Sequence, residues 1–279
     1  MGRTARKRRG AKGDRLTART ADRHVLYEIA VQSTEAEIDF VDRVYLKRHG
    51  RAAVRFREDF CGTAATCSEW VQRRPSNLAF GLDLDEKTLA YADSKRLAKL
   101  SDAQRERVRL MRCDVRTPPG EARGMDVVVA ANFSYFAFKR REDMRTYFAA
   151  VRSSLAPGGL FILDHYGGWE SLRDSVERRR CKGFTYVWEQ SKVDALTHEA
   201  VCHIHFEFPD GTKMRRAFSY PWRMWSIPEI RELLAEAGFP RSDCYWEGSD
   251  GKGGGNGVFR VAKRAEPCEA HISYIVAEG

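Results

Sequence analysis

The sequence predicts an α/β fold: a parallel sheet with helices on both faces and a block of antiparallel strands inserted near its end. Three observations predict it. Short apolar runs alternate repeatedly with amphipathic helical stretches between residues 52 and 163. The run Met125–Ala131 (MDVVVAA) is almost unbroken, as expected for a strand covered on both faces. From about Gly183 the period shortens to that of strands, with Pro209-Asp210-Gly211 as a turn between two of them.

In chain order, residues 22–48 read as helix, with a break and restart at Ser33-Thr34. Ala52–Asp59 is a strand, Ala64–Arg73 a helix stopped near Pro75, and Leu78–Leu82 a strand. Asp85–Leu100 is a helix with Leu89, Ala92, Leu97 and Leu100 inward, and Arg107–Arg112 is the next strand. After Met125–Ala131, Glu142–Leu155 is a helix whose Met144, Tyr147, Phe148, Val151 and Leu155 share one side. Pro157-Gly158-Gly159 ends it, and Leu160–Leu163 is a strand. Phe184–Val193, Glu199–Phe208 and Lys213–Tyr220 form a meander within residues 180–222. Ser226 and Glu229 make a capping box for a helix ended by Gly238. Cys244–Glu247 and Ile272–Ala277 are the last strands, flanking the glycine-rich loop GKGGGNG.

Of 279 residues, the first 20 hold eight basic side chains and one acid, so they carry seven of the nine net positive charges. The expected division is a basic disordered tail over 1–20 and a nearly neutral body over 21–279. Seven cysteines stand singly, with no Cys-x-x-Cys pair, which argues against a disulfide framework or zinc site and for a cytoplasmic protein. His203 and His205 share a strand face but lack a supporting acid or cysteine cluster, so no metal is expected. No apolar run is long enough to span a membrane and no apolar segment follows the basic start, so neither a membrane span nor a secretion signal is expected.

In an open parallel sheet, ligands bind beyond the carboxyl ends of the strands. Four strand ends therefore matter. In EDFCGTA, Glu58 precedes a turn where Cys61, Gly62 and Thr63 lead into a helix start, and Gly62 permits close backbone approach. In GLDLD, Asp83 stands 21 residues after Gly62, where a carboxylate can accept both hydroxyls of a ribose. In RCDV, Asp114 can receive an adenine amino group and Val115 can donate its N–H. In AANFSY, Asn132 to Tyr135 faces the junction of cofactor and substrate.

Together with LAPGGLFILD and WSIPEIRELLAEAGF, these motifs resemble the class I S-adenosylmethionine-dependent methyltransferases over residues 22–277. The N-terminal helices and the meander are similar to those of the small-molecule, glycine-N-methyltransferase-like branch. The resemblance implies a Rossmann-like seven-stranded sheet, an N-terminal helical cap, a meander covering the substrate, and S-adenosyl-L-methionine as cofactor. It implies Glu58 near the methionine amino group, Cys61, Gly62 and Thr63 beneath it, Asp83 on the ribose, Leu84 beside the adenine, Asp114 and Val115 on the adenine edge, and Asn132 at the ammonium. Phe60 and Ala64 stand where that turn usually has glycines, and Phe60 is expected to pack into neighbouring core.

Methyl transfer needs in-line approach and desolvation more than a dedicated base. His165, Tyr166 and Tyr135 are the candidate catalytic residues, with Tyr27 and Trp169 the candidate substrate contacts. The expected acceptor is a nitrogen or oxygen of a small molecule, peptide or protein. An RNA or ribosomal substrate engaged by the tail is the alternative, and a non-catalytic nucleotide-binding module or a nicotinamide dehydrogenase the lesser ones; the sequence leaves the oligomeric state open.

Overall fold

The computed structural model describes residues 16–251 and 254–279. Most of the basic tail therefore lies outside the described residues. Its last part is ordered: Thr17–Thr20 form a hydrogen-bonded turn, and the Ala18 N–H donates to Thr212 Oγ1 at 3.0 Å. The folded body thus begins before residue 21, because this turn docks on the meander.

Helix α1 (Arg23–Val31) starts where the Asp22 carboxylate accepts the His24 and Val25 N–H groups. Helix α2 (Thr34–His49) ends on Gly50, whose φ of +67° needs a residue tolerant of the left-handed region. Next come β1 (Arg55–Asp59), α3 (Ala65–Arg73), β2 (Leu78–Asp83) and α4 (Glu86–Tyr91). The expected helix to residue 100 instead widens over Ala92–Arg96 and tightens over Leu97–Lys99. Ser94 Oγ donates to the Ala90 carbonyl there, a bond of the kind that bends helices. The short α5 (Asp102–Arg105), β3 (Val108–Arg112), β4 (Met125–Ala130), α6 (Arg141–Arg152) and β5 (Leu155–Gly167) complete the parallel part. Pro157-Gly158-Gly159 is not the break expected: it is a bulge inside β5, with Met125 opposite Leu155 and Val127 already opposite Leu160.

The meander has four strands rather than three: β6 (Ser175–Cys181), β7 (Phe184–Ser191), β8 (Glu199–Glu207) and β9 (Lys213–Arg223), paired in that order. β6, SVERRRC, has no apolar alternation to announce it, because as an edge strand it exposes nearly every side chain. Helix α7 (Ile227–Glu236) carries the expected capping box between Ser226 and Glu229. β10 (Arg241–Ser249), β11 (Gly255–Val261) and β12 (His271–Glu278) follow.

The main sheet has the order β11-β10-β12-β5-β4-β1-β2-β3, with β12 antiparallel to β5 and β10. The seven expected strands are present, and β11 is an eighth at the edge. Its glycine-rich sequence reads as loop, but the open edge of β10 recruits it into a hairpin. Apolar layers cover both faces. Tyr147, Phe148, Phe161 and Leu233 lie in one, and Ile38, Val41, Phe56 and Trp70 in the other. A third cluster, including Leu26, Ala30, Phe184 and Phe206, seats α1 against the meander. Strand order reverses between β1 and β4, which opens a crevice at their carboxyl ends. Among the described residues no helix is long and apolar enough to cross a membrane.

Candidate active site

β1 ends in a turn with three left-handed residues at alternate positions: Phe60, Gly62 and Ala64, with φ of +58°, +50° and +55°. Only glycine takes this conformation freely. A residue with a Cβ carries roughly 1–2 kcal/mol of strain there. Packing holds both. Ala64 is fully buried, and the Phe60 ring packs 5.6 Å from Tyr147 and 5.8 Å from Phe138 while also bordering the crevice. Beneath the turn, Tyr147 Oη donates to buried Asp59, which is paired with buried Arg57.

Asp83 ties this turn to β2. One carboxylate oxygen accepts the Gly62 N–H at 2.8 Å, and the other accepts the Asp85 N–H at 2.9 Å. The Cys61 N–H donates to the Leu82 carbonyl at 3.0 Å, which tucks the thiol inward against Gly81. A Cβ at Gly81 would lie 2.8 Å from Cys61 Sγ, so the turn needs glycine at that point on β2. Glu58 is buried and accepts the Cys67 N–H at 3.2 Å. Burial pushes its carboxyl up to about 8, against partial relief from bonds to Thr66 and Cys67.

The opposite wall is set by Asp164, at the end of the apolar part of β5. Its two oxygens accept the N–H groups of Asn132 at 2.7 Å and Phe133 at 2.9 Å, holding both in left-handed conformation. Burial raises Asp164 to about 8. Asp164 is not among the residues expected at the site, although an acid closing the run LFIL is the signal for it.

These walls enclose a cavity of about 620 Å³, lined by Tyr27, Glu58, Cys61, Gly62, Thr63, Asp83, Leu84 and Asn132 of the expected set. His24 and Gln32 from the α1 region, also unforeseen, close one side. Thr63 Oγ1 and Gln32 Oε1 are buried there without a partner among the described residues. Two acids, a helix start and two unpartnered polar atoms suit a polar ligand with hydroxyl and ammonium groups, as in an aminoacyl nucleoside.

A second, smaller pocket of about 280 Å³ opens beside it and shares Tyr27, Asn132, Tyr220 and Trp222 with the first. Its walls are mostly aromatic. The Tyr220 and Trp222 rings stack at 5.0 Å, Trp188 lies 5.7 Å from Trp222, and Tyr166 and Phe133 sit across from them. Glu177 and Arg179 of β6 border this pocket.

The other expected residues lie elsewhere. Asp114 is clamped by Arg116, with Nη2 at 2.7 Å, and that guanidinium holds its carboxyl below the usual range. Neither Asp114 nor the buried Val115 lines the cavity. Tyr135 is fully buried, and its hydroxyl donates to the Asp164 carbonyl at 2.8 Å. His165 is buried with Nε2 on the Trp225 carbonyl at 2.8 Å, and Trp169 stands beside it around a separate cavity. His205 pairs with Glu189 and His203 with Ser219, and no metal-holding cluster occurs among the described residues.

Residues 61–161 match the family model described as a methyltransferase domain. No curated protein gives a significant match. Among solved structures, an S-adenosylmethionine-dependent methyltransferase from Clostridium acetobutylicum shares 17% identity at a TM-score of 0.67, over 91% of this chain and 96% of that one. CalS10, an amino pentose methyltransferase from Micromonospora echinaspora solved with S-adenosylmethionine, shares 20% at 0.63, over 91% and 95%. The sugar N-methyltransferase KedS8 from Streptoalloteichus shares 17% at 0.60, over 99% of each chain. At these identities the likeness to solved structures is one of fold.

Proposed function

We infer that this chain, a class I S-adenosylmethionine-dependent methyltransferase, methylates an amine nitrogen of a small molecule held in the aromatic pocket. One observation carries the reading: the aromatic pocket adjoins the polar cleft, the two sharing Tyr27, Asn132, Tyr220 and Trp222. The amino pentose and sugar N-methyltransferase activities of its structural neighbours support the choice of nitrogen. S-adenosylmethionine supplies a methyl group activated on a sulfonium. In the proposed arrangement Asp83 accepts ribose hydroxyls, Glu58 faces the amino end, Leu84 borders the adenine, and Thr63 and Gln32 bond through their free oxygens. Asp114 and Val115, outside the cavity, are left out of this set.

The acceptor lies between Trp188, Trp222, Tyr166 and Phe133, whose ring faces favour the positive charge that develops on nitrogen. As the nitrogen lone pair forms the new N–C bond, the C–S pair returns to sulfur. The nitrogen then sheds its proton to water at the pocket mouth, beside Glu177. Tyr166, the one candidate catalytic residue in this pocket, positions the acceptor. The antiparallel sheet, beginning at Ser175 rather than 180, acts as the cover by placing Tyr186, Trp188, Tyr220 and Trp222 over the site. The scattered free thiols favour a cytoplasmic setting.

A radiolabelled-methyl assay on cell extract, separated into small molecules, protein and RNA, tests this reading. Label in basic small molecules is expected. Label confined to RNA or protein overturns it.

A further inference from the structure

His165 and Trp169 have no part in the cleft, and they meet again around a different cavity. Paired strands put Tyr166 and Ile272 on one face of β5 and β12, and His165, Gly167, His271 and Ser273 on the other. On that second face lies a cavity of about 540 Å³ that shares no lining residue with the cleft or the aromatic pocket. This is within the roughly 300–1,000 Å³ of small-molecule sites.

Its walls are flat and aromatic. Trp246 lies 4.3 Å from His271, which in turn stacks at 5.7 Å on His165, and Trp169 and Trp225 add two more rings to a lining that also holds Leu172, Met224 and Ile227. Trp169 is 54% exposed, more than a side chain recruited only for core packing. Among the described residues no Lys or Arg lines the cavity, which disfavours an anion, and its one acid, Glu266, is exposed to solvent rather than buried against the rings.

Two buried ring nitrogens of these lining residues have no hydrogen-bond partner among the described residues: His165 Nδ1 and His271 Nε2. For His165 the proton can be placed. Its Nε2 faces the Trp225 carbonyl, which only accepts, so Nε2 carries the hydrogen. Burial lowers the ring to about 4, so it is neutral at physiological pH. Nδ1 is therefore a bare acceptor in a 2% exposed side chain, an arrangement that calls for a donor. His271 Nδ1 lies 3.7 Å from Cys268 Sγ, which leaves its Nε2 as the second free nitrogen.

We propose that this cavity is a second ligand site, separate from the methyl-transfer cleft, for an uncharged planar aromatic molecule whose N–H or O–H group donates to His165 Nδ1. The aromatic plane lies against Trp169 and Trp246. The proposal does not rest on the identity of the methyl acceptor.

Titration calorimetry on the whole chain tests it, with indole and phenol as probes and 1-methylindole and anisole as partners lacking the donor. Indole and phenol are expected to saturate one site. Each should bind at least about fivefold more tightly than its methylated partner, the worth of one neutral hydrogen bond. His165→Phe keeps the ring and should erase that preference, while affinity for S-adenosylhomocysteine stays as in the wild type. Trp169→Ala, at an exposed position, should weaken all four probes and covers the case of a His165 variant that does not fold. Absence of saturable binding, equal affinity within each pair, or a preference retained in His165→Phe overturns the proposal. So does methyl transfer to a bound probe, which would make this cavity part of the reaction site.

Discussion

Glu58 offers the sharpest test of the proposed cofactor cleft. In the free protein burial lifts its carboxyl to about 8, so near pH 7 only about a tenth of the molecules carry it ionised. A ligand ammonium beside it favours the ionised form. Binding must then draw on that minor population, and the apparent dissociation constant rises by the factor 1 + 10^(pKa − pH). For a pKa of about 8 this factor is roughly 100 at pH 6 and roughly 4 at pH 7.5, so affinity should fall about 25-fold over that interval, ~1.9 kcal/mol. Near pH 7 binding should release about 0.9 proton, read from heats in buffers of different ionisation enthalpy. The assay is calorimetric titration with S-adenosylhomocysteine, whose amino group stays protonated in this range. Glu58→Gln keeps an oxygen for the Cys67 N–H but cannot titrate. It should bind more weakly at pH 7.5 and show a flat profile. A flat wild-type profile, or an unchanged slope in Glu58→Gln, refutes the placement of the ammonium at Glu58.

Asp164→Asn should change how stability depends on pH. Burial raises the folded carboxyl to about 8, above its unfolded value, so its contribution is complete below about pH 4 and is lost as pH rises through 8; urea denaturation should show a wild-type loss between about pH 6 and 8.5 that exceeds the variant's by about 2–3 kcal/mol. Gly81→Ala places a Cβ 2.8 Å from Cys61 Sγ and Leu110 Cδ2 and should destabilise by about 1–3 kcal/mol in the same assay, with weakened S-adenosylhomocysteine binding expected because Cys61 lines the proposed cofactor cleft. Trp188→Ala removes a wall of the aromatic pocket only, so KM for the small-molecule acceptor should rise tenfold or more while the dissociation constant for S-adenosylhomocysteine stays the same.

The parallel half of the fold was legible because its central strands are buried on both faces, most clearly β4, and because strand and helix patterns alternate there. MDVVVA is buried at every position, and α6 shows a clean apolar stripe. The features that escaped lie at sheet edges, where pairing rather than side-chain burial forms the strand. β6 exposes Glu177 through Arg180, and β11 is mostly exposed and begins in glycines. Neither has a face to bury, so neither leaves a pattern of period two. The bulge at Pro157–Gly159 was hidden for a related reason: proline and glycine mark a departure from regular pairing, and only the partner strand decides whether that departure is a turn or a bulge.

Site residues divide by how their position is determined. Glu58, Gly62, Asp83 and Asn132 lie in the cleft because a strand end and the following turn fix them, and both can be read from sequence. The residues after β5 behave differently, because β5 runs on to Gly167, past the expected end at Leu163. Inside a strand, neighbouring side chains point to opposite faces. His165 and Tyr166 therefore cannot both reach the same pocket, however close they are in sequence. Tyr166, opposite Ile272, takes the aromatic pocket, while His165 takes the far face with its Nε2 on the Trp225 carbonyl. Asp164 shares the parity of Tyr166, and this brings its carboxylate under Asn132 and Phe133 instead of into the far core. A strand of four residues would have left His165 in a loop, free to turn toward the cleft. The extra length of β5, set by its pairing with β12, decides which of two adjacent polar residues lines the aromatic pocket.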